Sequence, residues 1–126
     1  MKSKFFLCGV CGNIVGLIKN GGGVLTCCNQ QMENIIPGTV DAAVEKHVPV
    51  VSCDGDTVTV NVGEQPHPMT AEHLIEWVFL STEKGGQRKE LKAGDDPKVC
   101  FELVEGDKPV AVYAYCNLHG IWVAEI

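Results

Sequence analysis

Four of the seven cysteines form two close pairs near the start of the chain. Cys8 and Cys11 make a C-x-x-C motif, and Cys27 and Cys28 are adjacent. Four thiolates favour Zn²⁺ or a single iron ion in tetrahedral geometry, and spacing alone leaves both metals open. A redox dithiol is less consistent with the sequence, because no βαβ pattern surrounds the motif. Since consecutive side chains diverge, we expect the tetrahedron to be distorted beside the adjacent pair.

A second group combines all four histidines of the chain with another cysteine. Its members are His47, His67, His73, Cys116 and His119. Three of the histidines lie at predicted strand ends or turns, where the loops of a β-fold converge. Five ligands exceed the four that tetrahedral zinc uses. Four imidazoles in a plane with one axial thiolate would leave a sixth position open on a ferrous ion, a site able to give one electron to a small oxygen species.

The elements that must position these residues are predicted to be β-strands. Residues 57–62 alternate with period two, and Asp54-Gly55-Asp56 before them indicates a hairpin turn that would hold Cys53. We predict no convincing helix, and a turn at Lys84-Gly85-Gly86. The other predicted strands cover residues 48–52, 73–80, 99–104, 110–116 and 121–126. Short strands at this spacing favour an antiparallel sandwich, with Ile75 and Val78 on opposite faces of their strand.

The chain is predicted to contain two domains, residues 1–37 and 38–126. The first is too short to fold on apolar burial alone and would need a metal. Pro37-Gly38 is a turn signal that suits the boundary. Residues 1–39 carry a net charge of +2 and residues 40–126 a net charge of −8, which supports two parts with different surfaces.

Composition excludes several classes of protein. The net charge of −6 argues against a nucleic-acid binder. No apolar run approaches the roughly 20 residues that span a bilayer, and the first residues lack the apolar stretch of a secretory signal. An odd number of cysteines argues against a disulfide framework. We therefore expect a cytoplasmic protein.

Several motifs together resemble the desulfoferrodoxins, the two-iron class of superoxide reductases. The resemblance covers nearly the whole chain. It rests on the two cysteine pairs and on the motifs Glu45-Lys46-His47-Val48-Pro49, Pro66-His67-Pro68-Met69, His73-x-Ile75-x-Trp77 and Tyr115-Cys116-Asn117-Leu118-His119-Gly120. The resemblance implies a mainly β fold, with a small desulforedoxin-like hairpin domain followed by an immunoglobulin-like antiparallel β-sandwich.

The resemblance also implies the ligands and the activity. Two iron ions per chain are expected. One is a rubredoxin-like iron bound by Cys8, Cys11, Cys27 and Cys28. The other is a catalytic iron bound equatorially by His47, His67, His73 and His119 and axially by Cys116. The expected reaction is the one-electron reduction of superoxide to hydrogen peroxide. Rubredoxin or a similar protein would donate the electrons, and the protein would be a homodimer.

Two further residues take roles from the resemblance. Lys46 would attract the superoxide anion and help deliver protons, and Glu45 would close the sixth position of the oxidised iron. Without the resemblance, both would be interpreted as solvated surface residues. One departure is visible after the second cysteine pair, where the family usually has Gly-x-Pro-Met and this chain has Asn29-Gln30-Gln31-Met32. Asn tolerates a positive φ, so the turn there can be kept.

Three alternatives remain at this stage. The chain could be a non-catalytic iron electron-transfer protein, in which case the second iron would not bind azide or cyanide. It could be a zinc-stabilised interaction module, which would be colourless. A superoxide dismutase would also have to accept electrons from superoxide, which an electron-donating axial thiolate disfavours.

Overall fold

The computed structural model describes residues 3–38 and 44–126. The chain divides into two compact units, Met1–Ile36 and Pro37–Ile126. Both consist mainly of antiparallel strands, so the predicted mainly β fold class is confirmed. In the described parts of the chain, no helix has the length and apolarity to cross a bilayer.

The small unit is built from five short strands. These are β1 (Lys4–Leu7), β2 (Ile14–Leu17), β3 (Thr26–Cys27), β4 (Gln30–Gln31) and β5 (Glu33–Asn34). They form one sheet in the order β2-β1-β5 and a separate β3-β4 hairpin. Among its described hydrophobic residues only Phe5, Cys8 and Met32 are buried, whereas Ile18 and Val24 are exposed. Apolar burial alone is a weak basis for the fold of this unit.

In its described residues, the larger unit is a seven-stranded sandwich preceded by one short helix. The elements are α1 (Val44–His47), β6 (Pro49–Asp54), β7 (Thr57–Val62), β8 (Ile75–Thr82), β9 (Gly85–Glu90), β10 (Lys98–Glu102), β11 (Pro109–Cys116) and β12 (Gly120–Glu125). The sheet β10-β7-β6 faces the sheet β12-β11-β8-β9. Alternate residues of β7 meet those of β8 and β11 in a shared core, in which Val60, Leu80 and Val112 are fully buried. Two antiparallel sheets around one core make up the expected sandwich.

Four details differ from the sequence-based expectation. The helix α1 was not predicted, and β9 begins at Gly85, where a turn was expected. Cys53 lies in β6 and not in a turn. Ile75 and Val78 share the core face, because the register of β8 and β11 shifts between the pairs Tyr115–Trp77 and Cys116–Ile75. This irregularity reverses the alternation of faces at the start of β8.

Strand pairing brings three connections to one end of the sandwich. Pro49 at the start of β6 pairs with Val62 at the end of β7. Cys116 at the end of β11 pairs with both Ile75 at the start of β8 and Gly120 at the start of β12. The segment before β6, the loop from β7 to β8 and the turn from β11 to β12 therefore lie together. They contain the four histidines of the second group, and Cys116 lies beside them at the end of β11.

Candidate metal centres

The first candidate centre lies where two hairpin turns of the small unit meet. Cys8 directly follows β1 and begins a turn that is closed by hydrogen bonds from Gly12 N to Cys8 O (2.9 Å) and from Cys8 N to Asn13 O (2.9 Å). Cys27 ends β3, and Cys28 and Asn29 form the turn to β4 with φ values of 53° and 60°. Two consecutive positive φ values indicate a type I′ hairpin turn, in which Asn is favoured.

The four sulfur atoms are spaced as the corners of a metal-binding tetrahedron. All four lie within 4.8 Å of one another. Cys11 Sγ is 3.6 Å from Cys27 Sγ, and Cys27 Sγ is 3.9 Å from Cys28 Sγ. Metal–sulfur bonds of about 2.3 Å predict edges of about 3.8 Å. The edge between the adjacent cysteines therefore shows little of the expected distortion, because the left-handed backbone of Cys28 turns its side chain back towards the others.

The thiols of this cluster differ in how readily they lose a proton. Backbone N–H groups of Cys11 and Val10 point at the sulfur of Cys8 and lower its pKa to about 6. Hydrogen bonding with Cys11, followed by Cys27 and Cys8, raises the pKa of Cys28 to about 12. One thiolate thus forms easily and the last one only with difficulty. A bound cation is what would stabilise all four thiolates together, with release of their protons.

The second candidate centre is a square of four imidazole rings. Neighbouring ring centroids are 4.6 Å apart for His47 and His67, 4.7 Å for His67 and His73, 5.1 Å for His73 and His119, and 4.9 Å for His119 and His47. The diagonal from His47 to His73 is 6.4 Å. Each neighbouring pair is close to perpendicular, with interplanar angles from 76° to 90°. Rings arranged in this way can direct one nitrogen each at a common point.

The nitrogen positions fit a metal ion at that point. His47 Nε2 lies 3.1 Å from both His67 Nε2 and His119 Nδ1. Nitrogens at neighbouring corners of a square are about 3.0 Å apart when metal–nitrogen bonds are about 2.1 Å. His73 Nε2 is buried and has no hydrogen-bond partner, which is costly unless a metal accepts its lone pair. The donor set therefore fits an ion bound by four imidazoles.

Cys116 supplies a sulfur on one side of this square. Its Sγ is 3.7 Å from His119 Nδ1 and within 4.8 Å of the ligand nitrogens of His47, His67 and His73. The side chain is fully buried, and burial raises its pKa, although the backbone N–H groups of Leu118 and His119 oppose that shift. A buried thiolate needs a compensating cation, which a metal at the centre of the square would provide.

The surroundings keep two of the imidazoles neutral and ready to bind. Burial, assisted by the neighbouring histidines and opposed by the Pro68 carbonyl, lowers the pKa of His67 to about 4. His67 Nδ1 lies 2.7 Å from Pro68 O, so its N–H donates there and leaves Nε2 free for a metal. Burial is also the main cause of the lowered pKa of His73.

Access to the square is uneven. His47 and His67 are 2% and 3% exposed, whereas His73 and His119 are partly exposed. Glu45 and Lys46 are exposed on α1 immediately before His47. The positive charge of Lys46 contributes to the lowered pKa of His73, which places that charge within electrostatic range of the square. The His73 and His119 side of the square is therefore the more exposed one.

Trp122 has a part in the centre that sequence analysis did not predict. Its ring centroid lies 5.0 Å from that of His47, and its Nε1–H donates to His119 O at 3.1 Å. The side chain is buried, with 5% exposure. The tryptophan nevertheless contacts two of the candidate ligands, and only its position three residues after His119 could have indicated this.

Comparison with known proteins gives consistent results across the chain. The family model described as desulfoferrodoxin matches residues 39–125, and the model for the desulfoferrodoxin N-terminal domain matches residues 2–35. A desulfoferrodoxin of Syntrophotalea carbinolica is 44% identical over 124 residues, which cover 98% of this chain and 97% of that protein. A superoxide reductase of Pyrococcus horikoshii is 37% identical over 99 residues, covering 65% of this chain and 86% of that protein. The crystal structure of the superoxide reductase from Treponema pallidum superposes with a TM-score of 0.84 at 41% identity, covering 99% of this chain and 100% of the other.

Proposed function

Because this chain belongs to the desulfoferrodoxin family, we propose that it is a superoxide reductase with two iron ions per chain. The observation that carries the proposal is the square of four imidazoles with a buried thiolate beside it. That donor set exceeds what tetrahedral zinc requires and suits a ferrous ion. Iron bound there supplies the one electron that, together with two protons, converts superoxide to hydrogen peroxide.

The residues around the second centre prepare it for this reaction. His67 and His73 stay neutral at physiological pH because burial lowers their pKa values, so their nitrogens are available as ligands. We propose that His47, His67, His73, His119 and Cys116 would together hold this iron. The thiolate of Cys116 would donate electron density to a bound iron, which would favour giving an electron over accepting one.

We assign to Lys46 the attraction of superoxide and the supply of protons near the open side. Its exposed ammonium group lies beside the buried ligand His47, in a chain whose net charge of −6 otherwise repels anions. Glu45 lies on the same turn, and we assign to its carboxylate the closing of the sixth position of the oxidised iron. Both residues are exposed and can move without disturbing the sandwich core.

The Lys46 assignment predicts a slower reaction in Lys46→Ala. Loss of the local charge should reduce the second-order rate with superoxide by about tenfold or more while iron stays bound. Pulse radiolysis measures the rate, and metal analysis measures the iron. Lys84→Ala is the matched control, because this exposed lysine lies after β8, at the end opposite Ile75. Equal rates for the two variants would remove Lys46 from the mechanism.

For the small unit we propose a rubredoxin-like iron that transfers electrons or stabilises the fold. The side chains of Cys11 and Cys28 are exposed, so a partner protein could approach the sulfur atoms closely. We further propose residues 1–37 as the desulforedoxin-like domain and residues 38–126 as the catalytic domain. Rubredoxin or a similar protein is the proposed donor, and stopped-flow reduction by purified rubredoxin tests it.

Three broader properties are proposed with the activity. A homodimer is supported by exposed apolar side chains on the small unit, including Val10 and Val24 at 59% and 67% exposure, and light scattering measures the mass. A cytoplasmic location would keep the clustered thiols reduced, and cell fractionation tests it. The biological role would be the removal of superoxide under oxidative stress, which a deletion strain exposed to oxygen would reveal.

One experiment tests the central proposal. Protein purified from iron-replete cells should contain two iron ions, show visible absorption, and consume superoxide when a reductant is present. Azide or cyanide should change the spectrum of the second centre, because one coordination position is open. Iron without superoxide consumption and without anion binding would instead indicate a non-catalytic electron-transfer protein. Zinc in both sites and no colour would contradict both assignments.

A further inference from the structure

One side chain joins the two loops that hold the candidate ligands of the second centre. Asn117 accepts a hydrogen bond from Leu74 N at Oδ1 (3.0 Å) and donates one from Nδ2 to Glu72 O (2.9 Å). Its backbone N also donates to Leu74 O at 3.2 Å. Glu72 and Leu74 flank His73, and Asn117 directly follows Cys116. Three hydrogen bonds thus join the two chain segments on either side of the metal position.

These hydrogen bonds lie where the pairing of β8 with β11 becomes irregular. The register of β8 and β11 shifts between the pairs Tyr115–Trp77 and Cys116–Ile75. Where the pairing of two strands shifts register, the hydrogen bonds between the strands hold the last residues less firmly than regular pairing does. The two bonds from the Asn117 side chain supplement the single backbone bond that continues the pairing beyond Cys116. The relative position of His73 and Cys116 therefore depends on this amide.

The side-chain amide of Asn117 makes both of these contacts at once. Leu74 N–H needs an acceptor and Glu72 C=O needs a donor, and Asn offers one of each. An aspartate at this position would keep the acceptor and turn a second oxygen towards the carbonyl. A leucine of similar size would offer neither group. The two backbone partners also determine which way the amide is oriented.

The position of the His73 side chain depends on the hydrogen bonds of its main chain. Its Nε2 is buried without a hydrogen-bond partner. Its main-chain N–H donates to Thr70 Oγ1 (3.1 Å), and its carbonyl accepts from Thr70 N (2.9 Å). These bonds hold the loop on the side of Thr70. Asn117 holds it on the side of Cys116.

We propose that Asn117 is a positioning residue that fixes the His73 imidazole relative to the Cys116 thiolate, and thereby sets the iron–sulfur contact and the retention of iron. The inference rests on the proposed function, since it takes both residues as ligands of one iron. Groups that orient metal ligands typically change metal affinity by about 10–100-fold when they are lost. Asn117 itself contacts backbone atoms only and takes no part in the reaction.

The test uses the full-length iron-loaded protein and the variants Asn117→Leu and Asn117→Asp. Asn61→Leu is the matched control, because Asn61 is an exposed residue next to the last residue of β7, and β7 belongs to the other sheet. The measurements are the rate of iron loss to a ferrous chelator and the wavelength of the cysteine-to-iron absorption band. The unfolding temperature of the iron-free protein reports purely structural damage.

We expect both Asn117 variants to lose iron from the second centre about 10–100-fold faster and to show a shifted absorption band, with Asn61→Leu unchanged. An unchanged band and an unchanged rate would overturn the inference, even if the unfolding temperature fell. If Asn117→Leu does not fold, the isosteric Asn117→Asp decides. Absence of the band from the unsubstituted protein would instead refute the proposed function.

Discussion

Gly63 directly follows β7, and its backbone is packed closely against the segment that carries Lys46 and His47. A Cβ atom at Gly63 would lie 2.6 Å from Lys46 C and O and 2.5 Å from Gln65 O. All three are backbone atoms, so no side-chain rotation relieves the overlap. The φ of Gly63 is also +84°, in the left-handed region that costs an L-residue about 1–2 kcal/mol. Gly63→Ala should therefore move α1 away from the metal position.

Gly94→Ala is a control that separates the cost of the positive φ from the cost of the steric overlap. Its φ is +91°, but nothing lies within 4 Å of its hypothetical Cβ. Gly94→Ala should thus lose only about 1–2 kcal/mol of unfolding free energy. Overpacking adds about 1–3 kcal/mol, so Gly63→Ala should lose about 2–5 kcal/mol. The reduced freedom of the unfolded chain is the same for both substitutions and cancels in the comparison.

Urea unfolding of both iron-free variants measures the difference in stability, and metal analysis after iron loading measures the effect on the second centre. We expect Gly63→Ala to be the less stable variant and to hold less iron there, because α1 presents His47. Equal stability and equal iron content in the two variants would refute the argument from close packing. A loss of stability without loss of iron would show that α1 keeps its place.

Two further predictions concern the hairpin turn of the small unit and a buried imidazole. Asn29 has a φ of 60°, so Asn29→Gly should retain the first iron, whereas the β-branched Asn29→Val should lose about 1–2 kcal/mol and much of the absorption of that iron. Equal absorption in both variants would contradict the turn assignment. In the iron-free protein, the pKa of His67 is about 4 when folded, below its ordinary 6.5, so the unfolded state binds this proton first as the pH falls. The contribution of His67 to the unfolding free energy is therefore complete above about pH 6.5 and decreases by roughly 3 kcal/mol towards pH 4. Urea unfolding at several pH values measures this decrease, and His67→Gln should lack it. An identical pH dependence in the two proteins would contradict the prediction.

The candidate ligands could be predicted because their chemistry is local in sequence. Cysteine and histidine types, the C-x-x-C spacing and the Cys116-Asn117-Leu118-His119 segment are visible without a fold. The strand β7 was equally accessible, since Val58, Val60 and Val62 alternate with polar residues and all face the core. Patterns of this kind persist in the structure because burial on one face enforces them.

Other features depended on contacts between distant segments. The strand β9 has no apolar alternation, and its two glycines were interpreted as a turn; in the structure Gly86 leaves room for the Phe79 ring, which a Cβ would approach to 2.3 Å. The four residues of α1 are too few to show a helical period. The bonds of Asn117 go to backbone groups 43 and 45 residues away, which no side-chain pattern encodes.

The two units differ in what holds each of them together, and this has a cellular consequence. The sandwich has an apolar interior of its own, whereas three buried residues are the whole described interior of the small unit. When iron is scarce, newly made chains would contain a well-formed sandwich and a loosely folded, protease-sensitive small unit. Trimming by proteases would then leave a shortened protein that keeps every donor of the second centre, so the cell's iron supply would set the ratio of the long to the short form.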